Sequence, residues 1–358
     1  MDILLMIIYC TFLLGLLVVV HEAGHYFVAR AFGIRVSEFM IGLPGPNIGF
    51  RWHGTKFGLT AVPLGGYARV CGMEPGEESP YIRDVLASVY GRGTLNMEDV
   101  ALEVGITDDQ AYEALEELVE WGSIIGPRKK DAYNTYRTPQ VSASKNVDAS
   151  GEGQARPVGD PQAFYESERS KQYRSLPFWK RTMILIAGPL MNLILAILVF
   201  LIVFSLVGVD VQSQSTGEMV HVTVDPLKSI AIGFNYIGMV FMAILQLFNP
   251  QTAAETVSNS TSIVGVAVLS KDAADQGPVV FSMFIAMISV SLGLMNMLPI
   301  PPLDGGRFVV EIYQRIRRKS ISIQALNALS FLGIAFFTLF FFFMLNQDVQ
   351  RFVFGNWG

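Results

Sequence analysis

Three side chains in one helical turn could do metal chemistry: His21, Glu22 and His25, in the stretch His21-Glu22-Ala23-Gly24-His25. Residues four apart on a helix share a face, so the two imidazoles can hold one zinc ion. Glu22 lies beside them, where a carboxylate can take a proton from zinc-bound water. The motif follows an apolar run from Ile3 to Val20. Ionisable residues at membrane depth are costly, and by default face a protein interior or a water-filled cavity. A five-residue pattern is too short to stand alone. A hydrolytic zinc site takes three protein ligands plus a water, and two histidines with one carboxylate is a common set. Asp304 is the candidate third ligand, just after Pro299, Pro301 and Pro302 open the backbone. Its alternative role is that of N-cap for the helix that follows.

The rest of the chain must bring these groups together. Half of its 358 residues are apolar (51%), its mean hydropathy is +0.41, and long stretches carry no charge. That predicts a mostly α, multi-pass membrane protein with its charge gathered in polar inserts. The net charge of −5 argues against a chain that coats nucleic acid. Cys10 and Cys71 are the only cysteines, so neither a disulfide framework nor a cysteine metal site is expected. The first apolar run has no basic leader, and cleavage would discard the motif, so it is read as a retained span.

In chain order, 1–78 reads as a first transmembrane helix followed by a membrane-associated β-element, with strands at Ile48–Trp52, Phe57–Val62 and Tyr67–Val70. Residues 79–138 read as a small cytoplasmic α+β insertion. It has helices at Asp84–Tyr90 and Asn96–Val104, a third starting at the capping box of Thr107 and Gln110, then strands at Trp121–Ile125 and Tyr133–Arg137. Three helices and a hairpin resemble a winged helix. DNA binding is opposed by charge: between Glu98 and Glu120 every charged residue is acidic. A docking role toward a cytoplasmic protein fits better. Residues 139–175 read as a flexible linker, poor in apolar residues through Ala163. A second span lies in 176–208, and 209–278 is an extracytoplasmic loop whose helix near 227–248 lies along or re-enters the membrane. The third and fourth spans fall in 279–358. Basic residues crowd 29–181 and the segment after Asp304, whereas 209–280 holds only Lys228 and Lys271. The positive-inside rule puts the first two regions in the cytoplasm and gives about four spans.

Two paired motifs, H-E-x-x-H in a first span and Asn296-x-x-Pro299-x-Pro301-x-Leu303-Asp304-Gly305 in a late one, resemble the site-2 protease family of intramembrane zinc metalloproteases. Pro63-Leu-Gly-Gly-Tyr67 and Ala187-Gly-Pro-Leu-Met-Asn192 match the same family, and about two-thirds of the chain is covered. The likeness is greatest to the bacterial branch that cleaves membrane-bound anti-sigma factors and signal-peptide remnants. It implies a Zn2+ cofactor held by His21, His25 and Asp304, Glu22 as general base, and Asn296 beside the substrate strand. Asn192, Gly65 and Gly66 are further substrate-binding candidates in the matching segments. It also implies single-pass membrane proteins as substrates, lipid contact and a place in the bacterial cytoplasmic membrane. The branch usually carries a PDZ domain between its second and third spans, for which 209–226 is too short. A catalytically silent zinc-containing receptor is the rival reading, and the intact Glu22 argues against it. A transporter is a further one, but no internal repeat supports it.

Overall fold

The computed structural model describes residues 2–62, 65–73, 78–128, 131, 134–140, 151–212, 218–258, 260–319 and 321–354. Helix α1 (Asp2–Ala31) leads into four strands: β1 (Val36–Ile41), β2 (Asn47–Trp52), β3 (Thr55–Thr60) and β4 (Gly66–Val70). Their order is β2-β3-β1-β4, with β1 and β3 parallel and the other pairs antiparallel. The strand Val36–Ile41 was not expected, yet it is central, with Val36 and Met40 fully buried. β2 turns Ile48, Phe50 and Trp52 outward, 86%, 67% and 58% exposed, an apolar edge unsuited to water.

The insertion contains α2 (Ile82–Arg92), β5 (Thr94–Asn96), α3 (Met97–Val104), α4 (Asp108–Glu120) and β6 (Thr135–Arg137). The capping box forms as expected: Thr107 and Gln110 satisfy each other's backbone N–H at the start of α4. Ala111, Leu115 and Leu118 bury that helix against Val85, Leu86 and Val100. Two expectations change here. Trp121–Ile125 is a turn, not a strand, and only Ile125 pairs with Arg137. The expected linker is ordered wherever it is described after 150. Helix α5 (Pro161–Arg169), capped by Asp160, lays Phe164 and Tyr165 on the insertion core. Residues 141–150, and Lys129, Lys130 and Tyr133 of the expected hairpin, lie outside the described residues.

The apolar helices follow. Helix α6 (Phe178–Leu201) runs on through a π-helical turn to Val207, and the hairpin β7 (Val209–Gln212) with β8 (Met219–Val222) leads to α7 (Pro226–Gln246). After α8 (Ala253–Ser258) and α9 (Ile263–Asp275) come α10 (Pro278–Asn296), α11 (Asp304–Arg317) and α12 (Ile323–Asp348). Among the described residues, five helices are long and apolar enough to cross a membrane, within 3–31, 178–207, 226–246, 278–296 and 324–351. That is one more than the four expected, the extra one being α7.

α7 packs antiparallel to α6: Ser205 donates to Ser229, and Phe200 meets Tyr236. α9 lies against α1, where Val266 joins the cluster of Leu13, Leu17 and Ile285. Buried Asp348, at the end of α12, accepts from the Ser262 and Gly265 backbone N–H groups at the start of α9. A carboxylate there meets the partly positive end of the helix.

Small residues let the central helices close up. A Cβ on Gly24 would lie 2.4 Å from the Ala187 carbonyl oxygen, so α1 and α6 touch backbone to backbone. Gly293 does the same for α10, its Cβ position falling 2.9 Å from the Pro189 carbonyl oxygen.

Candidate metal centre

His21 and His25 sit on the face of α1 that packs against α6, and both are buried (7% and 8% exposed). Asp304 reaches them from the first turn of α11. The N-cap position there is Leu303, and no side chain caps the helix, so the capping alternative for Asp304 is not what its carboxylate does. His21 Nε2 is 3.0 Å and His25 Nε2 3.3 Å from Asp304 Oδ2, and the two Nε2 atoms are 3.3 Å apart. Such a triangle is the face of a tetrahedron. Ligands at about 2.0–2.1 Å from a zinc ion stand roughly 3.3 Å from one another.

The surroundings fit a metal too. His25 Nδ1 bonds the Ile184 carbonyl at 2.7 Å, which makes Nδ1 the protonated nitrogen and leaves Nε2 with a free lone pair. His21 Nδ1 lies 3.3 Å from the Asn192 side-chain nitrogen, while Asn192 Oδ1 is buried with no partner. Exchanging the amide oxygen and nitrogen, which have nearly the same shape, pairs Oδ1 with an Nδ1–H and frees His21 Nε2 as well. Ser289 donates to the Asn192 carbonyl at 2.8 Å and fixes that turn of α6.

Gly188 faces both imidazoles directly. A Cβ there would fall 2.3 Å from His25 Nε2 and 2.7 Å from His21 Nε2. Gly188→Ala is therefore expected to empty the site while the helices still form. The check is zinc content by atomic absorption beside an unchanged far-ultraviolet circular dichroism spectrum.

Glu22 projects from the neighbouring face of α1, toward the sheet. Its Oε2 accepts from the Ala68 backbone N–H at 2.8 Å. Gly66 is pressed against the same helix, its Cβ position 2.6 Å from Val18 Cγ1 and 3.6 Å from Glu22 Cγ. Gly65 precedes it at φ +83°, in the left-handed region that favours glycine. β4 pairs with β1 on one side only, so its other edge, the one bonded to Glu22, has no strand partner among the described residues.

Of the other expected site residues, Asn192 is fully buried against His21, so it touches a ligand and offers substrate no surface. Asn296 is the last residue of α10, half-buried, ahead of the proline loop that carries Asp304. The Ile184 carbonyl and Ser289 were not anticipated. A backbone carbonyl leaves no mark in a sequence, and a serine within an apolar helix is a weak one.

Residues 9–340 match the family model for peptidase family M50. The chain is 25% identical to the regulator of sigma-W protease RasP of Bacillus subtilis, with 94% of this chain and 96% of the relative aligned. It is 23% identical to the zinc metalloprotease RasP of Shouchella clausii (94% and 97% aligned) and 24% identical to that of Geobacillus kaustophilus (94% and 96%). The alignment to the Bacillus subtilis protein spans 418 positions, more than this chain's 358 residues, so it carries gaps opposite residues of the relative. A match over nearly the whole chain, on apolar helices that converge on two histidines and an aspartate, makes this multi-pass membrane protein a zinc metalloprotease belonging to peptidase family M50.

Proposed function

We propose that the chain cleaves a peptide bond within the transmembrane segment of single-pass membrane proteins, as a step of regulated intramembrane proteolysis in the bacterial cytoplasmic membrane. The observation that carries this is the convergence of His21, His25 and Asp304 next to Glu22, whose carboxylate is bonded to the outer edge of β4. Those three side chains would hold the zinc ion, whose chemistry there would be to polarise the scissile carbonyl and acidify a water.

The chain's own residues do the rest. A substrate helix must unwind to be cut, because its carbonyls are otherwise taken up by its own hydrogen bonds. The free edge of β4 gives the unwound segment backbone partners, as strand addition does elsewhere. Gly66, without a side chain, lets β4 itself lie close to Val18 and Glu22 of α1, which brings the strand edge to the carboxylate. Glu22 leaves the Ala68 N–H, takes the proton of the attacking water and hands it to the leaving amine. Ile184 and Asn192 keep each imidazole in the tautomer that leaves Nε2 open. Asn296 is proposed to hold the substrate strand from the far side.

We read 79–138 as a winged-helix-like module that contacts protein, since the acidic run on α3 and α4 opposes phosphate. For topology we keep four full spans, with α7 and α9 as the two arms of a re-entrant element: α7 descends along α6 and α9 returns along α1. The relative named for sigma-W regulation makes an anti-sigma factor the leading substrate class, signal-peptide-like segments being the other. The test is reconstitution in proteoliposomes with a single-pass substrate. Cleavage within its transmembrane segment is expected, and cleavage only in soluble loops sinks the reading. In the same membranes, cysteines replacing Glu103 and Arg318 should label from the cytoplasm and one replacing Asp275 from outside. Labelling of position 275 from the cytoplasm would make α7 a full span.

A further inference from the structure

A cavity of about 320 Å³ lies between α6, α11, α12 and the turn at Tyr173, and none of the three metal-site residues nor Glu22 lines it. Arg174, Arg181 and Arg307 all face it, against one carboxylate, Glu311. Glu311 Oε2 is 3.1 Å from Arg181 Nη1, which accounts for one of the three positive charges. Arg307 rests a guanidinium nitrogen on the Met73 sulfur, 2.7 Å away, a weak acceptor for a cation. Arg174 is shared, lying within the field of Glu120 and Glu117 of α4 as well as that of Glu311.

The buried donors point the same way. Tyr173 is 1% exposed, and its hydroxyl, though close to Glu311, closes no hydrogen bond of normal geometry. Burial above all, and then Glu311, push its pKa up, so it stays a donor. Arg181 Nε is likewise buried without a partner. A buried donor without a well-formed partner, such as Arg181 Nε, is costly, and a protein keeps one where a ligand satisfies it. Amide and hydroxyl groups of Asn327 and Ser330 complete the polar wall, and Leu185 is part of an apolar one.

We propose that this cavity is a binding site for a phosphoryl group, separate from the metal centre. A phosphoryl group, with several acceptor oxygens on one centre, can take bidentate guanidinium bonds and the phenol together, which a carboxylate uses less fully. Two sources share this chemistry, the headgroup of an anionic phospholipid and a soluble phosphate ester. The site stands whether or not the proposed substrate class is right, because its test reads binding and not cleavage.

The full-length protein, in discs of phosphatidylcholine, is melted with inorganic phosphate or with sodium chloride at equal ionic strength. Phosphate is expected to raise Tm in a saturable way that chloride does not. Arg307→Gln should weaken the apparent phosphate affinity about tenfold, the loss of roughly one charge-assisted contact. Arg307 is the decisive position because its removal orphans no carboxylate, whereas Arg181→Gln strips Glu311 of its partner. Discs of phosphatidylglycerol separate the sources. If the headgroup is the ligand, they raise Tm and abolish the response to added phosphate. If it is a soluble ester, that response persists in both lipids. Equal effects of phosphate and chloride in neutral discs, or a wild-type phosphate response in Arg307→Gln, would overturn the site.

Discussion

Glu22→Gln is expected to stop proteolysis while leaving the zinc content and the fold intact. A glutamine carbonyl can still accept from the Ala68 N–H, so the contact between α1 and β4 persists. What goes is the group that accepts the water's proton, and removal of a positioned general base costs about a hundred- to ten-thousand-fold in rate. His21→Ala and Asp304→Asn differ in kind. Each removes one corner of the 3.0–3.3 Å triangle, and zinc should fall together with activity. The measurement is paired, metal by atomic absorption and cleavage of a reconstituted single-pass substrate. Wild-type cleavage by Glu22→Gln would remove that carboxylate from the mechanism. Loss of zinc from the same variant would mean that it acts as a ligand instead.

Much of this centre could be read from residue types because metal chemistry restricts them so tightly. Few side chains bind zinc, and a spacing of four on an apolar helix leaves His21 and His25 little else to do. The candidate third ligand was legible for a different reason, an acidic residue beside three prolines at a membrane edge. The supporting layer was less so. Gly188 stood out only as part of the 187–192 stretch, and the packed structure puts its missing Cβ in the space of both imidazoles. Asn192 read as a substrate contact because polarity within a span suggests a site without saying which surface of it. The central strand Val36–Ile41 was hidden behind the glycines and prolines that follow it. The largest miss lies in the segment taken for a linker. Its composition through Ala163 is that of a disordered chain, but the Asp160-Pro161 helix start and the Phe164-Tyr165 pair were marks of order. Glu168 was invisible in advance, because nothing in a sequence marks a buried glutamate before its cation is known.

That glutamate carries the other large effect. Arg35, four residues past α1, reaches into the insertion: its Nη1 is 2.9 Å from Glu168 Oε2, and it donates to the Trp121 carbonyl at 3.1 Å and to Ser123 Oγ at 3.2 Å. Ser123 and Lys171 also bond Glu168, both at 2.6 Å, and the glutamate is 4% exposed. Burial alone would raise the Glu168 pKa. Arg35, with Lys171 and Ser123, outweighs it and brings the value down to about 2. The stability held by this pair is therefore present above the ordinary carboxylate range near 4.5 and is lost as pH falls from there toward 2. Arg35→Ala leaves a buried carboxylate with only half-exposed Lys171 for charge, and breaking such a pair costs on the order of 3–5 kcal/mol. The loss should fall on docking, since the insertion keeps its own core around Leu86, Leu115 and Tyr136. Limited proteolysis should then cut near 170–175 in Arg35→Ala while wild type resists at neutral pH, and lowering the pH should expose the same sites in wild type. Because Arg35 follows directly on the helix that bears His21 and His25, release of the insertion should also change the cleavage rate of a membrane substrate. An undocked insertion with an unaltered rate would leave the module a passenger, and an unchanged proteolysis pattern would show that Arg35 does not hold it.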